Sequence, residues 1–555
     1  MNFLEHIFSN LRQAGGRVVL AEARAGGNRT ATGAGLLAQI AAARVFLRAS
    51  GLAKGDRCAL VAPNSIRWAA LDLAIIAEGL IAVPMYARQA AAELAAMLRD
   101  AEPGLICCGD AALRDAIAAA LPPADQKNAP RFVLLDEIFS AASQPAKSAP
   151  DEPAAISAEE TVAILYTSGT SGEAKGVMLT AGNIGHMLSC TGSRLDDLMG
   201  PRAVPDRVFH YLPFCFAGSW VLLLSCLSRT STLTMSMDLA KLADEIRVAA
   251  PDYFLNVPTL LERIRTGVDE NIHKRGGAIS GIFERAQAAW LRVDAKSPHP
   301  WDFFWLGLAG LLIFPSIRKR MGPNLRALIC GSAPLARETQ IFFMMLGIRV
   351  LQVYGLTETT AICTMDDPRR VEPGRVGPAI PGIEMKVGEN GEIVVRGPNI
   401  FPGYWRRPEQ TAAVLHDGWF HTGDQGEADA NGNWCITGRL KNLIILNSGH
   451  NIAPEPIEEE LFRAVPGAQH VILVGNGRSF LGVIVTGSVA DAEIDSQLER
   501  INAALPHYRK IRRFHLAREL FTIENGLLTA NGKLRRDIIA ARFADEIERM
   551  YAKPE

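Results

Sequence analysis

Three separated groups of residues have the types and spacing for nucleotide chemistry. The first is Tyr166-Thr167-Ser168-Gly169-Thr170-Ser171-Gly172-Glu173-Ala174-Lys175-Gly176-Val177, which follows the strand-like run Val162 to Leu165. Small hydroxyl residues and glycines expose backbone N–H groups and hydroxyl donors, so this run can wrap a polyphosphate, and Lys175 adds a positive charge. It is not a Walker A loop, which needs Gly-Lys-Ser/Thr; here the glycine follows the lysine. A flexible surface turn is the competing reading, set against twelve residues of this composition directly after a buried strand. The second group is Tyr354-Gly355-Leu356-Thr357-Glu358-Thr359, after the apolar segment Ile348 to Val353. A Thr–Glu pair at a strand end can offer a hydroxyl to phosphate and a carboxylate to Mg²⁺; taken alone, Glu358 reads equally as a solvated carboxylate. The third is Trp419-Phe420-His421-Thr422-Gly423-Asp424 with Gly438-Arg439-Leu440-Lys441. An Asp in a tight turn can accept both hydroxyls of a ribose and a nearby Arg can reach ribose or phosphate. In isolation these are equally a turn and a surface charge pair.

These groups need a scaffold, and hydrophobic periodicity supplies one. Gly35 to Ala49 reads as an amphipathic helix with Leu36, Leu37, Ile40, Ala43 and Phe46 on one face. Arg57 to Ala62 reads as a buried strand, Asn64 as the cap of a helix carrying Trp68, Leu71 and Ile75, and Leu80 to Pro84 as the next strand. Strand and helix alternate to about residue 360, the pattern of α/β layered sheets. Ala124 to Pro153, rich in Pro, Ala and Ser, reads as a surface connection. Near residue 370 the character changes. Glu384 to Val387 and Glu392 to Arg396 flank the turn Glu389-Asn390-Gly391, and Asn431-Gly432-Asn433 marks another hairpin, so a small β subdomain is expected at about 370–437. After Gly438 the chain becomes α+β, with a strand at Leu443 to Leu446, a helix at Pro454 to Phe462 and strands at His470 to Val474 and Gly482 to Thr486. The domains are therefore placed at residues 1–438 and 439–555, with the boundary at Arg439 to Lys441.

Composition bounds the rest. The 555 residues exceed one small core, so two or more domains are expected. Hydrophobic residues at 48% and charged residues at 21% are a globular balance, and a net charge of −1 gives no reason to expect a nucleic-acid partner. The nine cysteines show no C-x-x-C spacing, which points to reduced thiols and a cytoplasmic protein. Met1 to Gly16 lacks the basic flank and apolar core of a secretory signal. The apolar run Phe303 to Phe314 is about half of the roughly 20 residues a spanning helix needs, and Arg318, Lys319 and Arg320 follow it. A peripheral membrane contact and a buried helix with a solvated basic end both fit this run; burial is the reading preferred.

Taken in this order, the motifs resemble the AMP-binding, adenylate-forming family: acyl-CoA synthetases, adenylation domains of peptide synthetases and luciferases. The resemblance runs from Gly55-Asp56 and Pro63-Asn64-Ser65 to Gly532-Lys533. It includes Gly331-Ser332-Ala333-Pro334-Leu335, which in relatives lines the adenine and acyl sites, and Gly391-Glu392 through Gly403-Tyr404. The ending Glu524 to Arg536 is similar to the long-chain fatty acyl branch, as are Val83-Pro84-Met85-Tyr86 and Val257-Pro258-Thr259-Leu260-Leu261-Glu262-Arg263. The resemblance implies a large N-terminal domain of layered α/β sheets plus a β subdomain, and a smaller mobile C-terminal α+β domain.

It also implies a reaction. A carboxylate attacking the α-phosphate of ATP brings two anions together, so the protein must neutralise charge and position the reactants. By resemblance, Thr167 to Thr170 and Lys175 hold the departing pyrophosphate, Glu358 helps hold Mg²⁺ and Thr357 contacts the α-phosphate. Asp424 and Arg439 fix the ribose and Tyr354 packs on adenine. Lys533 bridges carboxylate and α-phosphate in the transition state; without the family it reads as a solvated lysine beside Arg535 and Arg536. The C-terminal domain then turns about a hinge at Lys441, and Ser448-Gly449-His450 falls at the thiol-channel loop, where CoA would deliver its thiol. Asp424→Ala is expected to weaken ATP binding with little change in thermal stability.

Two departures stand out. Glu173-Ala174 occupies the place where a Pro commonly precedes the lysine, which alters loop stiffness more than charge. In Leu212-Pro213-Phe214-Cys215-Phe216, relatives usually carry His at the position of Phe216. Phenylalanine cannot hydrogen-bond there but can line an acyl tunnel, so Phe214, Phe216 and Val257 are the acyl-pocket candidates, with core packing the competing role for Phe209, Phe214 and Trp220. The leading reading is a medium- to long-chain fatty acid–CoA ligase. An acyl-AMP ligase that loads an acyl carrier protein is the first alternative, since the near-neutral charge leaves no obvious cationic dock for CoA. An inactive nucleotide- or acyl-binding homologue, supported by Phe216 alone, is the second.

Overall fold

The computed structural model describes residues 2–24, 26–121, 130–140, 152–168, 174–529 and 532–552. Two large sheets dominate the first 365 residues. A six-stranded sheet runs in the order Arg131–Leu134, Leu105–Cys108, Arg57–Val61, Ile81–Met85, Thr161–Ser168, Ala174–Thr180, and is parallel up to its final antiparallel hairpin. An eight-stranded sheet is ordered Thr364–Met365, Arg349–Tyr354, Ala327–Cys330, Tyr253–Asn256, Asp206–His210, Ser231–Met235, Val18–Glu22, Arg29–Thr32, parallel in its interior with antiparallel edges. Parallel strands buried on both faces read as unbroken apolar runs, which is why Arg57–Val61 is legible in the sequence as a buried strand.

Helices fill the space around these sheets. Ile66–Ala77 is buried at every residue but Arg67, as a helix apolar on nearly every side must be. It packs against Gly33–Ala49. Its one acid, Asp72, accepts a 2.9 Å hydrogen bond from Trp220 Nε1, and burial pushes its carboxyl up to about 7. Asn64 does not cap this helix. Ser65 does, accepting from the Trp68 amide at 3.0 Å. Asn64 instead reaches across the molecule, donating to the Leu212 carbonyl at 2.8 Å and accepting from the Phe214 amide at 2.9 Å. The expected surface connection at 124–153 also contains structure: Arg131–Leu134 is an edge strand and Leu135–Ser140 a short helix, because Val133, Leu135 and Ile138 bury against the sheet.

Glu384–Val387, Glu392–Arg396, Trp419–Ala428 and Trp434–Arg439 pair antiparallel in a five-stranded sheet, as the hairpin turns predict. Beyond Arg439 a separate core forms around the sheet Ala468–Val474, Leu481–Gly487, Ile511–Ala517 and the helices Glu455–Ala464 and Asp491–Ala504.

Between the strands Tyr253–Asn256 and Ala327–Cys330 the chain inserts four helices: Pro258–Lys274, Gly277–Asp294, Asp302–Leu312 and Phe314–Met321. The apolar run Phe303 to Phe314 is not the buried helix preferred from sequence. Only Asp302, Ala309, Ile313 and Phe314 are buried there; Phe303, Phe304, Leu311 and Leu312 are exposed. The insertion's core includes Phe283, Ala286, Ile313, Phe314 and Ile317, and the outer-face residues stand outside it. No helix among the described residues is long and apolar enough to cross a membrane.

Candidate active site

The C-terminal ends of four adjacent parallel strands converge on one crevice edge, where open α/β sheets place ligands. Tyr354 ends Arg349–Tyr354, Gly331 follows Ala327–Cys330, Val257 follows Tyr253–Asn256, and the segment to Phe216 follows Asp206–His210. Glycine is required at two of these ends. A Cβ at Gly331 would stand 2.6 Å from Val353 Cγ2, and one at Gly355 would stand 2.3 Å from the Ala361 carbonyl oxygen. Ser332 takes a left-handed φ of 74°, and both Ser332 and Ala333 are exposed at the rim.

The loop after Tyr354 is held from below by a side chain with no motif of its own. Asn399 Nδ2 donates to the carbonyls of Thr359 at 3.2 Å and Ile362 at 3.0 Å, while its own carbonyl accepts from the Thr360 hydroxyl. The Leu356 amide donates to Thr359 Oγ1 at 2.9 Å. This bracing leaves Thr357 and Glu358 half-exposed on a single 3₁₀ turn.

Asp424 is the hub. It is buried, and its strand pairs with Trp434–Arg439 so that Asp424 lies opposite Arg439. Arg439 Nε donates to Asp424 Oδ1 at 2.6 Å and the Tyr354 hydroxyl donates to Oδ2 at 2.9 Å. Burial first, and the Asp424 charge second, push the Tyr354 phenol well above its ordinary range. Each carboxylate oxygen keeps a free lone pair, so the carboxylate can still accept from ligand hydroxyls.

Glu358 is tied to the phosphate-loop side through Tyr404. The Tyr404 hydroxyl donates to Glu358 Oε1 at 2.8 Å, and Lys175 Nζ lies 4.9 Å from the centre of the Tyr404 ring. The same segment anchors the loop's arms: Trp405 N donates to the Gly176 carbonyl, and Tyr166 and Arg407 both donate to Asp100. Thr167 lies opposite Lys175 in the hairpin and Ser168 opposite Ala174. Gly169, Thr170, Ser171 and Gly172 lie outside the described residues.

Lys533 comes from the far end of the chain and its side chain is exposed to solvent. Desolvation first, and then repulsion by Arg439, lower its pKa; Asp424 and Glu358 act the other way. All three are therefore its electrostatic neighbours. Its backbone is fixed by Thr529, whose amide donates to the Lys533 carbonyl at 2.8 Å and whose hydroxyl accepts from the Lys533 amide at 3.1 Å. Lys533 does not share a solvated patch with Arg535 and Arg536. Arg536 turns inward to the buried Glu458, and Arg535 reaches Glu93 of the first domain at 2.7 Å.

The remaining candidates are more scattered. Lys441 is exposed on the 3₁₀ turn Leu440–Asn442. Ser448, Gly449 and His450 form an exposed turn, with Gly449 at φ 82°, and the His450 ring stacks on Tyr508 at 4.2 Å. Beside them His507, Arg509, Arg512 and Arg513 are exposed, a local basic run that the near-neutral total charge hides. Phe214 is not a pocket residue. It is fully buried, 5.2 Å from the Trp68 ring and stacked at 5.2 Å on His210, with its backbone clamped by Asn64. Phe209 and Trp220 are core as well. Phe216 is half-buried and meets Tyr86 at 5.8 Å; Val257 is half-buried and its amide faces the Tyr211 hydroxyl at 3.4 Å.

Among the described residues no cluster of three His, Cys, Asp or Glu side chains forms a metal cage. Glu358 fits the alternative arrangement for Mg²⁺, in which one carboxylate and substrate phosphates share the ion with waters.

Comparisons with known proteins show the family and the fold. The model of the AMP-binding enzyme family matches residues 7–405, and that of the AMP-binding enzyme C-terminal domain matches residues 441–555. The chain is 29% identical over 556 residues to the long-chain-fatty-acid–CoA ligase FadD15 of Mycobacterium bovis, covering 93% of this chain and 91% of that protein. It is 26% identical over 599 residues to a chloroplastic long-chain-fatty-acid–[acyl-carrier-protein] ligase, AEE15, of Arabidopsis thaliana, covering 91% and 80%. Among solved structures, ATP-bound MatB from Rhodopseudomonas palustris superposes with a TM-score of 0.74 at 26% identity, covering 98% of this chain and all of the other. With a family model that spans well over half its length, this chain belongs to the AMP-binding enzyme family.

Proposed function

We propose that the protein is an ATP-dependent, AMP-forming ligase that adenylates a medium- to long-chain fatty acid and transfers the acyl group to the thiol of CoA. The observation that carries this reading is the Asp424 hub, bonded to Arg439 at 2.6 Å and Tyr354 at 2.9 Å, with Lys533 from the last 25 residues near enough to feel its charge and the neighbouring Arg535 bonded to Glu93 at 2.7 Å. A lysine beside these groups supports charge neutralisation between two anions.

In the first half-reaction the fatty carboxylate oxygen attacks the α-phosphorus of ATP, and the bond to the β-phosphate oxygen breaks. Lys533 offsets the charge on carboxylate and α-phosphate, Thr357 donates to the α-phosphate, and Lys175 with Thr167 to Thr170 receives the departing pyrophosphate. Asp424 and Arg439 hold the ribose, and Tyr354, besides packing on adenine, orients Asp424 through its hydroxyl. Glu358 would hold Mg²⁺, which supplies further charge neutralisation on the phosphates. In the second half-reaction the thiol sulfur attacks the acyl carbonyl of the adenylate, AMP leaves and the thiol proton is released. A turn at Lys441 withdraws Lys533 and brings Ser448 to His450 to the acyl adenylate. Phe216 and Val257 line the acyl end.

A second reading keeps the first step and gives the acyl group to an acyl carrier protein. The exposed bases around Tyr508 and His450 favour an anionic acceptor, and this suits an acidic carrier as well as the phosphates of CoA. The deciding experiment is pyrophosphate release across a panel of acids, with CoA, with phosphopantetheinylated carrier protein, or with neither. Release that depends on a C8 to C18 acid and is accelerated by CoA supports the reading. Acetate preference, or no release with any acid, removes it.

A further inference from the structure

The helix Asp302–Leu312 presents an apolar face that none of the described residues covers. Trp301 is 64% exposed, Phe303 64%, Phe304 52%, Leu311 76% and Leu312 59%. Phe303, Phe304, Gly307, Gly310 and Leu311 share one side of the helix at three- and four-residue spacing. The two glycines carry no side chain, so an aromatic pair and a leucine pair project at opposite ends of the face. Trp301, Phe304 and Trp305 lie edge to face in series, at 6.0 and 5.2 Å. The helix's only acid, Asp302, is turned inward and paired with Arg292, whose Nε lies 3.0 Å from Oδ2. No negative charge is left on the outer face.

Basic residues flank this face. Arg318, Lys319 and Arg320 are exposed on the next helix, Phe314–Met321. Arg285 adds a cation over the Trp305 ring at 4.5 Å. The insertion as a whole, residues 258–321, holds ten Lys and Arg against six Asp and Glu, while the full chain carries −1. An amphipathic helix with aromatic and leucine side chains on one side and cations at its edge lies stably in the headgroup region of a bilayer. Aromatic rings with one wet edge favour that depth, and anionic headgroups attract the flanking bases.

We propose that the surface formed by Trp301, Phe303, Phe304, Leu311 and Leu312 with the basic triplet Arg318 to Arg320 docks on an anionic lipid bilayer. A second copy of the chain fits this face less well, because a twofold contact would bring two basic triplets together. Docking stands independently of the proposed chemistry. Its use rests on that chemistry: a docked enzyme would take its fatty acid from the bilayer.

The test is co-sedimentation of the full-length protein with vesicles of phosphatidylcholine alone or with one-third phosphatidylglycerol, alongside pyrophosphate release with octanoate, a soluble acid that needs no bilayer. Wild type is expected to bind anionic vesicles at least tenfold more tightly than neutral ones. The Phe303→Ser/Phe304→Ser/Leu311→Ser/Leu312→Ser variant should lose binding to both, and Arg318→Glu/Lys319→Glu/Arg320→Glu should lose the anionic preference, each with octanoate activity unchanged. The exposed charge variant and wild type decide the matter even if the apolar variant misfolds. Wild type remaining in the supernatant, or an unchanged anionic preference in the charge variant, overturns docking. A wild-type dimer that becomes monomeric in the apolar variant, without vesicle binding, reassigns the face to a contact between copies. Vesicle binding with no octanoate activity in wild type would leave docking intact and count against the proposed chemistry instead.

Discussion

Arg535 Nη2 and Glu93 Oε1 lie 2.7 Å apart across 442 residues of sequence, tying the segment that carries Lys533 to the first domain. Glu93 is itself held by Gln89, whose amide donates to Oε2 at 2.8 Å. Desolvation acts against the ionised Glu93, but the hydrogen bonds from Gln89 and Arg535 outweigh it and leave the carboxyl below its usual range. The pair is present in the structure in which Lys533 neighbours Asp424 and Glu358, so under the proposed mechanism it would favour the adenylating arrangement.

Glu93→Gln is therefore expected to slow acyl-adenylate formation by about two- to fivefold, the size of a half-exposed ion pair worth up to about 1 kcal/mol. Thiol transfer from supplied acyl-adenylate should not slow. Adding Arg535→Gln should produce no further loss, which single-turnover measurements on the four-member cycle will show. Additive losses in both half-reactions would mean that the pair supports the fold rather than the arrangement of domains.

Asp424→Ala has two expected consequences. ATP affinity in calorimetry should fall by at least tenfold, because the proposed acceptor for the ribose is gone. Contrary to the sequence-based expectation, thermal stability should fall as well. The buried Tyr354 hydroxyl loses its acceptor, at a cost of about 1–3 kcal/mol, whereas Arg439 can turn to water. An unchanged melting temperature would show that Tyr354 finds another partner.

Phe214→Ala and Phe216→Ala should part company. Phe214 is core, so its truncation should cost about 3–5 kcal/mol of stability with the acid profile unaltered. Phe216 borders the proposed acyl site beside Tyr86, so Phe216→Ala should shift the preferred chain length with a small stability loss. Denaturant unfolding and an acid panel on both variants separate these outcomes. An unaltered profile in Phe216→Ala would move the acyl site elsewhere.

The sequence displayed what is written in local runs and little of what is assembled from single residues. The hairpins at 389–391 and 431–433 and the buried parallel strands were readable because turn chemistry and apolar period are local properties. Tyr404 was noted only as part of a motif, although its hydroxyl and ring join Glu358 to Lys175. Asn399, Glu93 and Gln89 gave no signal at all, since a lone polar residue acquires meaning only from partners brought near by the fold. Asn64 was misread for the opposite reason: a cap-like residue before a helix was displaced by its neighbour Ser65, freeing Asn64 to clamp Phe214. The exposed face of Asp302–Leu312 was misjudged because hydropathy reports how apolar a helix is, not how much core is available to cover it.

The pH dependence of adenylation should carry the mark of Lys533. Its pKa is lowered by desolvation and by Arg439, so in the free enzyme the proton is lost at a lower pH than from an ordinary lysine. Since the charged form is the one that works, kcat/KM for adenylation should fall as pH rises through that lowered pKa, a group essential in its protonated state. The unfolded chain holds this proton more tightly, so the same group makes stability rise, not fall, across that interval. Lys533→Arg should move the alkaline limb upward by more than one unit. A limb that stays in place belongs to another residue.

The most direct measurement is the separation of the two half-reactions in Lys533→Ala. ATP–pyrophosphate exchange with a fatty acid should fall by at least a hundredfold, about 2.7 kcal/mol of transition-state stabilisation. Transfer of the acyl group from supplied acyl-adenylate to CoA should stay within about twofold of wild type, because the lysine has by then no charge to neutralise. Equal loss of both half-reactions, or exchange that survives the substitution, would contradict the assignment of Lys533 to the adenylation step and with it the proposed mechanism.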